Sequence, residues 1–226
     1  MCGRFAIAIT VGFHDRFGVQ DTGIPVIPRY NIAPTQEVPI VVSESPRTIV
    51  SMRWGLVPRW AKDPKIGSRM INARAETLEE RPAFRDALAS RRCLVPATGF
   101  FEWKKVGSRR IPYYVRLKGH PLFAFAGLYD RWRDPAGEDI ATFTIITTRP
   151  NAAVSPLHDR MPAVLLREYE ERWVASGALS PEEREGMLEP VDAHLMEAYP
   201  VGPQVSNPNI ESEDIIRPVQ DGLPGI

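Results

Sequence analysis

The chain has 226 residues, of which 43% are hydrophobic and 25% charged, a balance typical of a globular protein that can bury its own core. It has only two cysteines and no apolar run near the roughly 18 residues of a membrane span, which excludes a disulfide framework and a membrane helix. No secretory signal is visible in the sequence. We therefore expect a cytoplasmic protein, associated with the nucleoid if its source is bacterial.

Short apolar and alternating runs predict many short strands and few helices. In chain order, the predicted strands are Phe5–Ile9, Val38–Val42, Thr48–Trp54, Cys93–Pro96, Phe100–Lys104, Pro112–Leu117, Leu122–Tyr129, Ala141–Thr147 and Pro162–Leu166. The predicted helices are Val11–Phe17, capped by Thr10 and ended by Gly18, then Pro82–Ala89, Glu168–Ala175 and Pro181–Leu188, the last capped by Ser180. This order predicts an α+β fold with a mainly antiparallel, barrel-like β core and peripheral short helices.

Basic residues concentrate in the first part of the chain. Residues 1–133 contain 22 basic and 11 acidic residues, whereas residues 134–226 contain 6 and 17. Arginine accounts for 23 of the basic residues, and it binds phosphate through paired N–H groups and stacks on bases. The pattern predicts a basic face for an anionic partner such as nucleic acid, unless the two halves simply neutralise each other within one fold.

Cys2 has the most distinctive chemistry in the chain. If Met1 is removed, as expected before a small residue, the mature chain begins with a thiol and a free α-amine on adjacent carbons. The amine titrates at about 7.7–8.0 and the thiol at about 8.5, so both are partly available at neutral pH. Such an aminothiol condenses with an aldehyde to an imine, which the thiol then closes to a thiazolidine. Gly3 permits a close approach and Arg4 adds a positive charge, although a chance small residue after methionine is the alternative.

Two further groups could move protons. Glu102 stands among aromatic residues on a predicted strand, where burial would raise its pKa and suit it to general acid catalysis. If it faces outward, it is only a solvated carboxylate. His158 lies in a proline-bounded loop beside charged residues, where an imidazole pKa can be tuned, although a structural histidine is the alternative. No nucleotide-binding or zinc-ligand spacing occurs, so we expect neither an organic cofactor nor a metal.

Two segments could bind a DNA strand. Asn72, Arg74 and Glu76 alternate with apolar residues and would share one strand face, on which Asn could orient a nucleophile and Arg could clamp a phosphate. The alternative is an ordinary polar strand face. Trp54 and Trp60 bracket an arginine-containing segment, as in a stacking platform for unpaired bases, although tryptophans are more often core residues.

Six ordered blocks of the sequence resemble the SOS-response-associated peptidase (SRAP) family. The blocks are Met1–Phe5, Arg29–Pro34, Arg53–Pro58, Asn72–Glu76, Arg92–Pro96 followed by Gly99–Trp103, and His158–Pro162. They cover roughly residues 1–205, and six blocks in family order are specific where one alone would be weak. The resemblance implies a single SRAP-like catalytic domain over residues 1–206, followed by an irregular tail over residues 207–226.

The resemblance also implies a function, because such proteins shield abasic sites in single-stranded DNA by a stable covalent link. It implies the catalytic set Cys2, Asn72, Glu102 and His158. For DNA binding we expect Arg4, Asn31, Pro34, Trp54, Trp60, Arg74 and Arg160. The implied enzyme combines lyase-like imine chemistry in a single turnover with thiol-dependent removal of its own Met1. The expected partners are single-stranded DNA with abasic sites and replication-fork proteins, without a membrane.

Three other functions fit parts of the sequence. The Met1-Cys2-Gly3 start also resembles glutamine amidotransferases with an N-terminal cysteine nucleophile, although their early Arg/His-rich motif is missing. A non-catalytic DNA reader would use the basic half of the chain without needing an N-terminal cysteine. A protease acting in trans would need a peptide-binding cleft, for which the sequence gives no sign.

Overall fold

The computed structural model describes residues 2–43 and 47–219. The strands are β1 (Phe5–Ile7), β2 (Arg29–Ile32), β3 (Glu37–Val42), β4 (Thr48–Trp54), β5 (Asn72–Arg74), β6 (Arg92–Ala97), β7 (Gly99–Val106), β8 (Arg109–Leu117), β9 (Phe123–Arg133), β10 (Asp139–Thr148), β11 (Met161–Pro162), β12 (Val164–Leu165) and β13 (Met196–Pro200). The α-helices are α1 (Phe13–Phe17), α2 (Pro82–Ser90), α3 (Arg167–Val174) and α4 (Pro181–Leu188). None of the helices in these two ranges could cross a bilayer. The predicted removal of Met1 and the last part of the predicted tail, residues 220–226, lie outside the described residues.

Five strands close into a barrel in the order β10-β4-β3-β6-β9, because β9 pairs again with β10. β10 runs parallel to β4 and β5, and every other strand pairing of the described residues is antiparallel. A second sheet has the order β13-β8-β7-β1-β2. Short helices lie around these sheets, so the predicted α+β fold with a mainly antiparallel, barrel-like core is confirmed.

An aromatic core joins the second sheet to the barrel. Phe5 on β1 makes edge-to-face contacts with Trp54 on β4 and Phe125 on β9, at ring-centroid distances of 5.1 and 6.0 Å. Phe100 on β7 contacts the same Phe125 ring at 6.0 Å. All four rings are buried, and burying such a ring stabilises a fold by about 1.5–3 kcal/mol. This core therefore holds the start of the chain firmly against the barrel.

Two of the three predicted helix ends agree with the structure. The predicted cap of α4 is confirmed, since Ser180 Oγ accepts a hydrogen bond from Glu183 N and the Glu183 carboxylate accepts one from Ser180 N. The predicted end of α1 at Gly18 is also confirmed, with φ 61°. The predicted Thr10 cap is wrong, because α1 begins only at Phe13 and Gly12, with φ 73°, occupies the N-cap position.

Edge strands and the chain end differ most from expectation. β2 and β13 were not predicted, and both lie at an edge of the second sheet. The predicted strand Pro162–Leu166 divides into β11, which pairs with β10, and β12, which pairs with β9. Residues 207–219 pack onto the second sheet, with Ile215 buried and a bridge between Val201 and Pro218.

Candidate active site

Cys2 lies fully buried between the two sheets. Asn72 of β5 reaches it from the barrel side, because its Nδ2 donates to Cys2 O at 2.9 Å. The Cys2 thiol lies 3.7 Å from Arg4 O, within the limit for a hydrogen bond to sulfur. Burial, followed by the nearby Glu102 carboxylate, raises the pKa of the Cys2 thiol far above its usual range. The thiol is therefore uncharged at neutral pH and needs a proton acceptor before it can attack.

Asn72 also offers a free acceptor. Its Oδ1 is buried and has no hydrogen-bond partner among residues 2–43 and 47–219. A buried acceptor without a partner costs about 1–3 kcal/mol, so such an atom calls for an explanation. A donor on the substrate, or the α-amine of Cys2 once it is exposed, would satisfy Oδ1.

Glu102 reaches Cys2 from the second sheet. The backbone N–H of Phe101 donates to Arg4 O at 2.9 Å, so the next residue on β7 lies beside the first residues of the chain. The Glu102 side chain is buried, which raises its pKa to about 7, and the negative charge of Asp159 acts in the same direction. A carboxyl group with this pKa is partly protonated at neutral pH and can both donate and accept a proton. Of the two orientations that the sequence leaves open for Glu102, the structure has the inward one.

His158 lies in the loop before β11, and its side chain is 30% exposed. Partial burial lowers the pKa of His158, so the ring is mainly neutral at pH 7. Its Nδ1 accepts a hydrogen bond from Arg160 N at 3.0 Å, which leaves the proton of the neutral ring on Nε2. Asp159 Oδ1 also lies 2.8 Å from Nδ1, and it can accept a hydrogen bond there only when Nδ1 carries a proton. The loop thus has a partner at Nδ1 for each protonation state.

Arg160 is held from two directions. Its guanidinium forms a paired contact with the Glu76 carboxylate at 2.6 and 2.8 Å, and Nη2 also donates to Thr147 O at 2.6 Å. Only 13% of the side chain is exposed. A phosphate would have to compete with Glu76 for this guanidinium. In this arrangement, Arg160 fixes the loop that carries His158.

A basic groove leads away from Asn72. It encloses about 410 Å³, and Arg74 and Trp60 both line it, with Trp60 54% exposed. Two more exposed arginines, Arg69 and Arg81, line the same groove and were not predicted. Neither arginine lies in one of the six blocks that resemble the family. The excess of basic residues in the first part of the chain was therefore the only signal for them. Because Asn72 both lines the groove and donates to Cys2 O, the groove adjoins the candidate active site at this residue.

Two expected DNA-binding residues are buried in the fold. Trp54 is buried, and its Nε1 donates to Ile71 O at 2.8 Å, so its predicted stacking on bases is wrong. Asn31 is also buried, and both hydrogens of its side-chain amide go to the carbonyls of Asn207 and Ile210. It ties the chain end to β2 and cannot reach a DNA strand.

Arg4 and Pro34 remain accessible only in part. Arg4 Nη1 donates to Asn31 Oδ1 at 2.8 Å and to Val205 O at 3.0 Å, so part of this guanidinium already has structural contacts. Pro34 is half-buried in the turn after β2, next to Thr35 with φ 73°. In the described ranges, no three His, Cys, Asp or Glu side chains are grouped as a metal site would require.

The fold and site define a class of barrel protein in which a buried cysteine at the second position lies between an amide and a carboxyl group. The chain belongs to the SOS response associated peptidase (SRAP) family, whose model matches residues 1–208. The abasic site processing protein YoqW of Bacillus subtilis is 43% identical over 223 residues, covering 96% of this chain and 99% of YoqW. The abasic site processing protein HMCES of Gallus gallus is 31% identical over 230 residues, covering 87% of this chain and 68% of HMCES.

Solved structures show the same fold. A crystal structure of a Bacteroides thetaiotaomicron protein matches with a TM-score of 0.87 at 32% identity, covering 96% of this chain and 100% of that one. A Bordetella bronchiseptica protein matches with a TM-score of 0.75 at 22% identity, covering 89% of this chain and 100% of that one.

Proposed function

We propose that the protein processes abasic sites in single-stranded DNA by forming a thiazolidine between Cys2 and the ring-opened sugar, after removing its own Met1. The observation that carries the proposal is the convergence of two sheets on Cys2. Asn72 holds the Cys2 carbonyl, and Glu102, with its pKa raised to about 7, lies beside the thiol. The names of YoqW and HMCES support the abasic site as the substrate.

The first step joins the Cys2 amine to the sugar aldehyde. Hydrolysis of the Met1–Cys2 peptide bond exposes the α-amine, whose lone pair then attacks C1′ to give a carbinolamine. Protonated Glu102 gives its proton to the carbinolamine hydroxyl, which leaves as water, and an iminium ion remains. Asn72 Oδ1, which has no partner among the described residues, would accept a hydrogen bond from the amine during this step.

The second step closes the ring. The Glu102 carboxylate formed in the first step takes the proton of the Cys2 thiol, and the sulfur then adds to C1′ of the iminium ion. Glu102 ends protonated as it began, so one group serves both steps and one water is released overall. An open imine would permit β-elimination and cut the strand, whereas the closed thiazolidine prevents this. The raised thiol pKa fits this order, because the thiol reacts only after its proton acceptor has formed.

His158 supports opening of the sugar. The closed abasic sugar must transfer a proton to its ring oxygen before an aldehyde appears. A histidine with a lowered pKa is a stronger acid when protonated, and Asp159 can hold the proton on Nδ1 in that state. After protonated His158 gives its Nε2 proton to the sugar oxygen, the remaining ring proton stays on Nδ1, where Asp159 accepts it. The same transfer in reverse would govern release of the DNA.

The groove supports a single strand as the substrate. Trp60 offers an exposed indole for stacking, and Arg69, Arg74 and Arg81 offer positive charge for phosphates. Stacking on an aromatic side chain contributes about 1–3 kcal/mol per base, and only an unpaired base can use it. Recruitment by replication-fork proteins and association with the nucleoid stay predictions.

A blocked N-terminus tests the proposal. We would extend the chain before Cys2 with residues that cannot be removed and, as a matched control, place the same extension after Ile226. The control should give a complex with an abasic oligonucleotide that survives denaturing electrophoresis, and the blocked protein should give none. A blocked protein that forms the same complex would rule out attack by the Cys2 amine. Binding without any denaturation-resistant complex in either protein would leave a non-covalent DNA reader.

A further inference from the structure

A hairpin with concentrated positive charge extends from the candidate site. β7 and β8 are joined by the tight turn Gly107–Ser108, in which Gly107 has φ 60°. Residues 104–110 contain four basic residues and no acidic one. The side chains of residues 105–110 are all exposed. Because the two strands are paired up to the turn, the charges are carried on a defined arm rather than on a loose loop.

The arm places like charges against each other. Lys105 and Arg110 are direct cross-strand partners, and like charges in this position destabilise a sheet. Within residues 2–43 and 47–219, neither side chain forms an ion pair with a carboxylate. Folding of the hairpin therefore gains nothing from these two charges. A polyanion lying along the arm would relieve the repulsion.

The arm continues the strand of the second sheet that carries Glu102. Glu102 belongs to β7, three residues before Lys105, so their backbones are about 10 Å apart along the strand and their side chains leave it on opposite faces. After burial and closer charges, the positive charge of Arg110 also lowers the pKa of His158, so the arm is electrostatically close to the site. Asn72 and the groove belong to the barrel side, whereas Glu102 and the arm belong to the second sheet.

We propose that Lys105 and Arg110 bind phosphates of the DNA strand on the far side of the lesion from the Trp60 groove. The strand would enter along the groove, place the abasic sugar at Cys2 and leave along the arm. This inference rests on the proposed function for the placement of the lesion, but binding to the arm does not need the covalent step.

The test measures binding apart from bond formation. The variant Lys105→Gln/Arg110→Gln removes both charges and the repulsion between them, so it should fold. The matched control, Lys118→Gln/Arg167→Gln, removes two exposed charges from the far end of β8 and from α3. The probes are oligonucleotides with a tetrahydrofuran abasic analogue, which has no aldehyde. One probe has flanks on both sides of the analogue, and two others each lack one flank.

The salt dependence of Kd decides the outcome. Each phosphate contact to a single strand contributes about 0.7 to the slope of log K against log salt, so the arm variant should lose about 1.4 on the two-flank probe. On the probe that lacks the flank bound by the arm, the arm variant should have the same slope as the wild type. The control should have the wild-type slope on all three probes. An unchanged slope, or an equal loss on all three probes, would overturn the proposal. Cross-linking to a true abasic site, measured separately, fails or succeeds independently of this result.

Discussion

Glu102→Gln should abolish the proton transfer and, at the same time, stabilise the fold at high pH. The pKa of Glu102 is raised from 4.5 to about 7 mainly by burial. Folding therefore favours the protonated form, and the wild type loses stability as pH rises from about 4.5 through about 7. At roughly 1.4 kcal/mol per pH unit, the shift corresponds to about 3 kcal/mol of lost stability above pH 7. Glutamine is neutral at every pH and avoids this loss.

The assay is urea denaturation at pH 5 and pH 8, with Glu138→Gln, an exposed carboxylate in the β9–β10 turn, as the control. Glu102→Gln should exceed the wild type by up to about 3 kcal/mol at pH 8 and by much less at pH 5, whereas the control should show no such difference. Adduct formation by Glu102→Gln should be slower by about 10²–10⁴-fold, with little change in DNA affinity. Equal stability of the two proteins at pH 8, or an unchanged adduct rate, would refute the assignment of Glu102 as a buried proton carrier.

Three further substitutions test other parts of the site. Cys2→Ala keeps an amine but lacks the thiol, so denaturing gels should show an adduct only after borohydride reduction; a heat-stable adduct without borohydride would contradict ring closure. Glu76→Gln should loosen Arg160 and slow the reaction while shifting its pH profile, with affinity for the abasic analogue nearly intact; an unchanged profile would remove Glu76 from the positioning of the loop. Trp60→Ala should weaken single-strand binding by about 1–3 kcal/mol without loss of stability. Trp54→Ala should instead destabilise the fold by about 3–5 kcal/mol. If binding assays and denaturation rank the two variants the other way round, the two assignments are reversed.

The sequence predicted best what local chemistry decides. The α4 cap follows from residues three positions apart, and the aromatic neighbours of Glu102 marked it as a candidate without deciding whether it faces inward. Six short blocks also carried the family resemblance. By contrast, β13 became a strand only because β8 offers it an edge, and no local pattern shows such a pairing.

The surroundings of side chains were harder to predict. Trp54 and Trp60 are six residues apart and look equivalent in sequence, yet one is buried against Phe5 and the other is exposed. Arg160 was expected to bind phosphate because arginine suits that task, whereas the structure pairs it with Glu76, 84 residues away in sequence. Contacts at such separations depend on how β5, β10 and β11 assemble. They became visible only in the folded chain.

Intact-protein mass spectrometry tests the central claim most directly. The purified protein would be mixed with an oligonucleotide carrying one abasic site and measured without reduction, then digested to locate the modified residue. We predict a species equal to the chain without Met1 plus the oligonucleotide minus one water, with the linkage on Cys2. An adduct that retains Met1, an adduct located on any other residue, or unmodified protein alone would contradict the account.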